Sequence, residues 1–234
     1  MTADAEKEVM NMDENISSEK YSVNVDLVLC IDCTGSMGPV IDMVKKNALT
    51  FHEQITKALE KKDREVEQLR IKVIGFRDLT YGEDMEESKF FDLPQENEAF
   101  EKFVNGLQAT GGGDAPETAL DAIAYAMKSP WVKEGSKKRH IIMLWTDAPT
   151  KMPGEQTLRD DLPKSIAEFR TWYDDPQEAK MNAFAKRLIV FAPDDPSWDC
   201  IQDLPLTNIS RVDLDKGLSE VTIDIVLTML ANSV

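Results

Sequence analysis

Residues 25–38, VDLVLCIDCTGSMG, constrain this chain more than any other stretch. A run of mostly apolar residues ends in Asp32. Two hydroxyls follow at alternate positions, Thr34 and Ser36, and Gly38-Pro39 then opens a long helical pattern. A buried strand that feeds a helix in this way delivers an acid and two hydroxyls to one edge of a sheet. In open α/β sheets ligands bind at that edge, at the carboxyl ends of the strands. One carboxylate and two neutral oxygens are an incomplete set for a hard cation, which takes about six oxygens. The rest of the chain has to supply the others.

The remaining pattern alternates strands and helices. Strands are expected at about residues 23–31, 69–76, 139–146, 187–191 and 208–214, with a short edge strand at 88–92. Helices are expected at about 39–62, 96–106, 116–127 and 218–231, with a short one at 197–204 and one or two more within 150–185. In the first helix Ile41, Val44, Ala48, Phe51, Ile55 and Leu59 recur at steps of three and four, which makes one apolar face. The continuous apolar run from Ile141 to Trp145 suits a strand covered on both sides. The fold class is therefore α/β: a Rossmann-like three-layer sandwich, with a mostly parallel central sheet, helices on both faces and one antiparallel edge strand. Residues 1–20 read as a loose acidic tail without periodicity, and 21–234 as one domain.

Charge narrows the partners. With 27 basic and 43 acidic residues the chain carries −16, which repels nucleic acid and anionic membrane surfaces. Much of that charge serves plain solubility. The acidic N-terminus lacks the apolar run of a signal peptide and no stretch is long enough to span a bilayer, so a cytoplasmic location is expected. Three cysteines are too few for a disulfide framework. Cys30 and Cys33 have the spacing of a redox or zinc pair, but alternation along a strand does not make them converge, and no second pair completes a zinc site.

Three loops carry the chemistry. The first holds Asp32, Thr34 and Ser36. The second is Thr110-Gly-Gly-Gly-Asp114-Ala-Pro-Glu117. The third is Thr146-Asp147-Ala-Pro149, directly after the strand at 139–146. If that strand neighbours the first, Asp32 and Asp147 meet at one edge, and the glycines let Asp114 or Glu117 approach the same point. An all-oxygen set favours Mg²⁺, Mn²⁺ or Ca²⁺ over zinc. Taken singly, each residue has a plainer reading. Asp114 and Glu117 have capping-box spacing, Asp147 suits a turn, and Thr34 and Ser36 can satisfy backbone groups. Arg77 and Asp78, just past the second strand, also fall near this edge; they read either as groups that support the site from behind or, more plainly, as a surface ion pair outside it.

The D-x-T-x-S pattern at Asp32, Thr34 and Ser36, with the Gly-Gly-Gly-Asp-x-Pro-Glu loop and the strand-end Thr-Asp, resembles the metal-ion-dependent adhesion site of von Willebrand factor type A domains. The resemblance runs from about residue 24 to the C-terminus. Thr34 stands where the family more often has Ser, and Asp114 where many members have Thr. The segment from Asp114 to Glu117, with Asp121-Ala122-Ile123 beyond it, is similar to the β-subunit integrin variant. There the Glu reaches the main metal and the Asp serves a neighbouring cation site. The resemblance thus implies metal ligands at Asp32, Thr34, Ser36, Asp147 and Glu117, with Asp114 as an alternative ligand or part of a second site.

What the resemblance implies about function is a non-catalytic, Mg²⁺-dependent protein-interaction module in which a partner's Asp or Glu completes the metal shell. Intracellular members often work beside AAA-type ATPases or inside multiprotein complexes. Two alternatives stand beside it. One is a structural scaffold with a degenerate site. The other is a Mg²⁺-dependent hydrolase of the haloacid dehalogenase type, whose D-x-D-x-T motif would need an acid where Thr34 stands. No P-loop motif occurs, and neither His52 nor His140 falls at the expected site.

Overall fold

The computed structural model describes residues 21–47, 50–62, 64–79, 85–112, 115–135, 137–155, 159–212 and 223–234. The tail at 1–20, Asp114 and the expected helix start at 218–222 lie outside the described residues. The strands are β1 (Tyr21–Asp32), β2 (Arg64–Phe76), β3 (Glu86–Glu87), β4 (Phe91–Leu93), β5 (Lys138–Trp145), β6 (Lys186–Pro193) and β7 (Thr207–Val212). The helices are α1 (Gly38–Asn47), α2 (Phe51–Glu60), α3 (Asn97–Gly106), α4 (Ala119–Met127), α5 (Ile166–Asp174) and α6 (Ile223–Ser233).

One sheet runs in the order β3-β2-β1-β5-β6-β7, with β4 also on β2. The pairs β1–β2, β1–β5, β5–β6 and β6–β7 are parallel, and only β3 and β4 run antiparallel, both against β2. β1 is central: Leu27 lies between Ile71 of β2 and Ile141 of β5. That adjacency of β1 and β5 is what brings Asp32, the last residue of β1, and Thr146, the first residue after β5, to one edge.

Alternation along β1 sorts the core. Val25, Leu27, Leu29 and Ile31 face one side, where they meet Ile41 and Val44 of α1, Ile55 and Leu59 of α2, Phe100 of α3 and Leu230 of α6. Val28 and Cys30 face the other, against Ala122, Ile123 and Ala126 of α4, Phe169 and Tyr173 of α5, and Trp198. Each such aliphatic side chain, taken fully out of water, contributes roughly 1.5–3 kcal/mol. The sheet is covered on both faces, as the unbroken apolar runs require.

Four local expectations change. The span expected as a single helix, 39–62, carries two, α1 and α2. The antiparallel edge expected at 88–92 comes in two short pieces, because the Ser88 hydroxyl accepts the Val73 N–H at 2.9 Å and so takes a ladder donor from the backbone. α4 starts at Ala119 rather than at residue 116. The short helix after β6 is a 3-10 turn, Pro196–Ile201, capped by Asp195, whose side chain accepts the Ser197 N–H. No helix among the described residues is long and apolar enough to cross a membrane.

Candidate metal centre

Asp32 is the last residue of β1 and is fully buried. Its Oδ1 accepts the Thr34 backbone N–H at 2.9 Å and the Thr34 hydroxyl at 2.7 Å. Its Oδ2 accepts the Thr146 hydroxyl at 2.7 Å, across from the end of β5. Three donors thus hold the carboxylate, yet burial dominates and pushes its pKa above the ordinary carboxylate value. The charge of nearby Asp147 pushes it further the same way. A buried carboxylate raised in this manner is one that a cation would stabilise.

The three loops do converge. A cleft of about 450 Å³ is lined by Thr34, Ser36, Gly111, Gly112, Glu117, Asp147 and Pro149, with Asp32 beneath Thr34. Ser36 is exposed and Asp147 half-buried, whereas Thr34 and Glu117 are buried. The structure therefore gathers Asp32, Thr34, Ser36, Glu117 and Asp147. Asp114 lies outside the described residues. Among the described residues, no three His, Cys, Asp or Glu side chains form a group able to hold a metal by themselves.

Backbone bridges fix the loops to one another. Thr110 N–H donates to Cys33 O at 2.9 Å, tying the glycine loop to the first loop. Gly112 has φ +78°, and a Cβ there would stand 2.6 Å from Thr34 Cγ2, so only glycine fits without strain. Glu117 N–H donates to Pro149 O at 2.9 Å, and Lys151 N–H to Glu117 O at 2.8 Å. This short parallel bridge of Glu117 with Thr150 joins the second loop to the third. The bridge also overturns the capping-box reading of Glu117. The residue precedes α4, whose N-cap is Thr118, and it stands on the cleft wall.

Several contributors stayed outside the site as read from the sequence. Thr146 was visible only as a neighbour of Asp147, yet it is Thr146 that bonds Asp32. The surface ion-pair reading of Arg77 and Asp78 is wrong on both counts, since both are buried and they have different partners. Arg77 donates to Thr110 O at 2.8 Å and to Gln108 O at 2.9 Å, while pairing with Glu86 at 2.8 Å. Asp78 pairs with Lys151 at 2.5 Å. Thr118 donates from its hydroxyl to Arg77 O and accepts the Leu79 N–H. No local pattern marks these residues, because their partners are brought in from separate segments of the chain.

Cys30 and Cys33 fall in the cores on opposite faces of the sheet. Burial raises both thiols, Cys33 to about 12. A redox or zinc pair does not form there.

A family model described as von Willebrand factor A domain matches residues 26–167. The alpha-protein kinase vwkA of Dictyostelium discoideum is 23% identical over 167 residues, covering 70% of this chain and 25% of that protein. The chain therefore spans a quarter of that curated relative's length. A solved structure, von Willebrand factor type A from Catenulispora acidiphila, superposes with a TM-score of 0.54 at 18% identity, covering 91% of this chain and 43% of the other. The pilus adhesin SpaC from Lactobacillus rhamnosus GG gives 0.50 at 13% identity, covering 89% and 30%. At these identities the structural likeness is one of fold.

Proposed function

The chain belongs to the von Willebrand factor A domain family, and from that premise we propose that its cleft holds a divalent cation and binds a protein partner without chemistry. The observation that carries the reading is the fully buried Asp32 carboxylate, held by Thr34 and Thr146 beneath a cleft that Ser36, Glu117 and Asp147 line. Asp32, Thr34, Ser36, Glu117 and Asp147 would hold the ion, with Asp114 a further candidate. Their donors are all oxygen, which suits Mg²⁺, and Mn²⁺ or Ca²⁺ next. The ion would supply an electrophilic point for a carboxylate, so the partner is a protein presenting Asp or Glu.

Two features favour binding over catalysis. The described lining of the cleft contains no His, Cys or Lys to serve as base or nucleophile. Thr34 also stands where a phosphatase-type reaction would want an acid. The kinase name belongs to a relative four times the length of the matched region, and its activity does not carry over on a quarter of that chain.

The scaffold reading draws on one observation, the lack of a three-member His, Cys, Asp or Glu group among the described residues. Thermal unfolding after chelation separates the two. Mg²⁺, Mn²⁺ and Ca²⁺ are each added back to wild type and to Asp32→Ala. A ligand bound only by the native state raises the midpoint by mass action. A rise in wild type that Asp32→Ala abolishes supports the cation site. No rise with any ion leaves the scaffold reading in place.

A further inference from the structure

Arg70, Arg77, Arg159, Arg170 and Arg211 each pair with a carboxylate. Arg64, Arg139 and Arg187 have no acid partner among the described residues, and all three stand where strands β2, β5 and β6 begin. That end of the sheet lies opposite the metal cleft, about 20 Å away along β5 at roughly 3.3 Å per residue. Alternation puts the three positions on one face. Arg64 is in step with Val66, Arg139 with Ile141 and Arg187 with Ile189, which pack on the core beneath α1, α2 and α6. Arg187 is the register partner of Ile141, so it lies diagonally across from Arg139.

Arg139 and Arg187 are half-buried and bond main-chain carbonyls. Arg139 donates to Lys138 O at 2.9 Å, and Arg187 to Lys186 O at 2.6 Å and Phe184 O at 3.3 Å. Burial, and then the charges of Arg187 and Arg64, lower the Arg139 pKa, so the three are near enough to repel one another. Exposed Lys61 and Lys62, just before β2, add to the same charge. Glu65 alternates to the other face of β2, and Asp63 lies outside the described residues. Bare apolar groups border the row: Phe184 is 87% exposed and Leu206 46%. The Leu206 carbonyl accepts the Leu188 N–H at 3.1 Å, which sets Leu206 beside Arg187. Unpaired cations next to exposed apolar side chains, on a chain of net charge −16, suit an occupant that is acidic and partly apolar.

We propose that this surface is the docking site of the chain's own N-terminal segment, residues 1–20. The segment carries six acids against two lysines, with Val9, Met10, Met12 and Ile16 set among them. It enters the fold at Tyr21, the register partner of Arg64. Glu14 is seven residues upstream of Tyr21, a length that spans up to about 25 Å. Arg139, level with Val25, is roughly 13 Å along β1 from Tyr21 and one strand across. Arg187, level with Leu27, is roughly 20 Å along and two strands across. Asp13 and Glu14 therefore reach both guanidinium groups, and the apolar residues beside them reach Phe184 and Leu206. Tethering holds the segment at an effective concentration of about millimolar, so ion pairs that are individually weak suffice. The proposal does not rest on the cation reading.

The test is nuclear magnetic resonance on the ¹⁵N-labelled full chain. Heteronuclear Overhauser values at residues 9–16 are expected to stand near those of the sheet. They should fall to free-chain values in Arg139→Gln/Arg187→Gln, and at about 0.5 M salt, which shortens the screening length to a few ångströms. Asp13→Asn/Glu14→Gln is expected to lower them likewise, and also to shift the amides of Phe184, Ala185, Arg187 and Thr207, far away in the chain. The acid variant leaves the folded domain unaltered, so it tests the proposal where the arginine variant fails to fold. Dilution by about tenfold should change nothing, since a tethered contact is independent of concentration. Free-chain values in wild type, values unmoved in either variant, or docking lost on dilution, which would make a second copy the occupant, would overturn the proposal.

Discussion

Gly112 packs directly on Thr34: a Cβ on the glycine would lie 2.6 Å from Thr34 Cγ2 and 2.9 Å from Thr34 Cβ. The glycine loop therefore presses on the side chain whose hydroxyl bonds Asp32. Gly112→Ala meets both the contact and the positive φ, the latter costing about 1–2 kcal/mol. The expected result is a lower unfolding midpoint together with a reduced or absent Mg²⁺-induced rise. Thermal scans with and without Mg²⁺ check it, and an unchanged Mg²⁺ response would show that the loop does not shape the site.

Thr146→Val keeps the shape and removes the donor to Asp32 Oδ2, and it also leaves the Ala148 N–H without its acceptor. A hydrogen bond to a charged group contributes about 1.5–3 kcal/mol. Urea unfolding should report a loss in that range, with weaker metal binding by calorimetry.

Asp32→Asn separates stability from binding. The Asp32 pKa is raised above the ordinary 3.8, with burial the largest cause. The folded, metal-free protein therefore holds this proton more tightly than the unfolded chain, so stability falls as pH rises from about 3.8 through the raised value. Above that window the ionised group is a net burden until a cation arrives. Asp32→Asn is expected to unfold at a higher temperature than metal-free wild type at pH 7, to lose that acidic-range slope, and to show no Mg²⁺ response. Destabilisation at pH 7 without metal would contradict the account.

Arg77→Lys keeps the charge and loses the planar fork that reaches Thr110 O and Gln108 O together. Since Thr110 also bonds Cys33, the glycine loop should loosen. Hydrogen exchange at residues 108–112 is expected to speed up, with Mg²⁺ affinity falling by about tenfold, or ~1.4 kcal/mol.

Burial lowers the pKa of both histidines, His52 and His140. The unfolded chain binds these protons first as pH falls, so stability is complete above the ordinary 6.5 and declines below it. The slope is at most about 1.4 kcal/mol per pH unit for each proton. His140→Gln should flatten the decline between pH 7.5 and 5.5 in urea unfolding, leaving the part due to His52.

Alternation and helical periodicity determined much of this protein directly from sequence. The apolar runs at 25–31 and 141–145 had to be strands covered on both faces, because only a double-wound sheet buries every side chain of such a run. That Asp32, Thr34, Ser36 and Asp147 share one edge was legible because they follow the ends of strands that alternate with helices. Tertiary structure decided the rest. Whether Glu117 caps a helix or faces the cleft depended on its bridge with Thr150, 33 residues away in the chain. Thr146 became a partner of Asp32 because β5 lies beside β1 in the sheet order. Arg77 and Asp78 found their partners in Glu86 of β3 and Lys151 of the third loop, which lie far apart in the chain. Periodicity reports which face of an element is apolar. It carries no information on which distant polar group will meet a buried charge, and that pairing is settled only when the chain closes on itself.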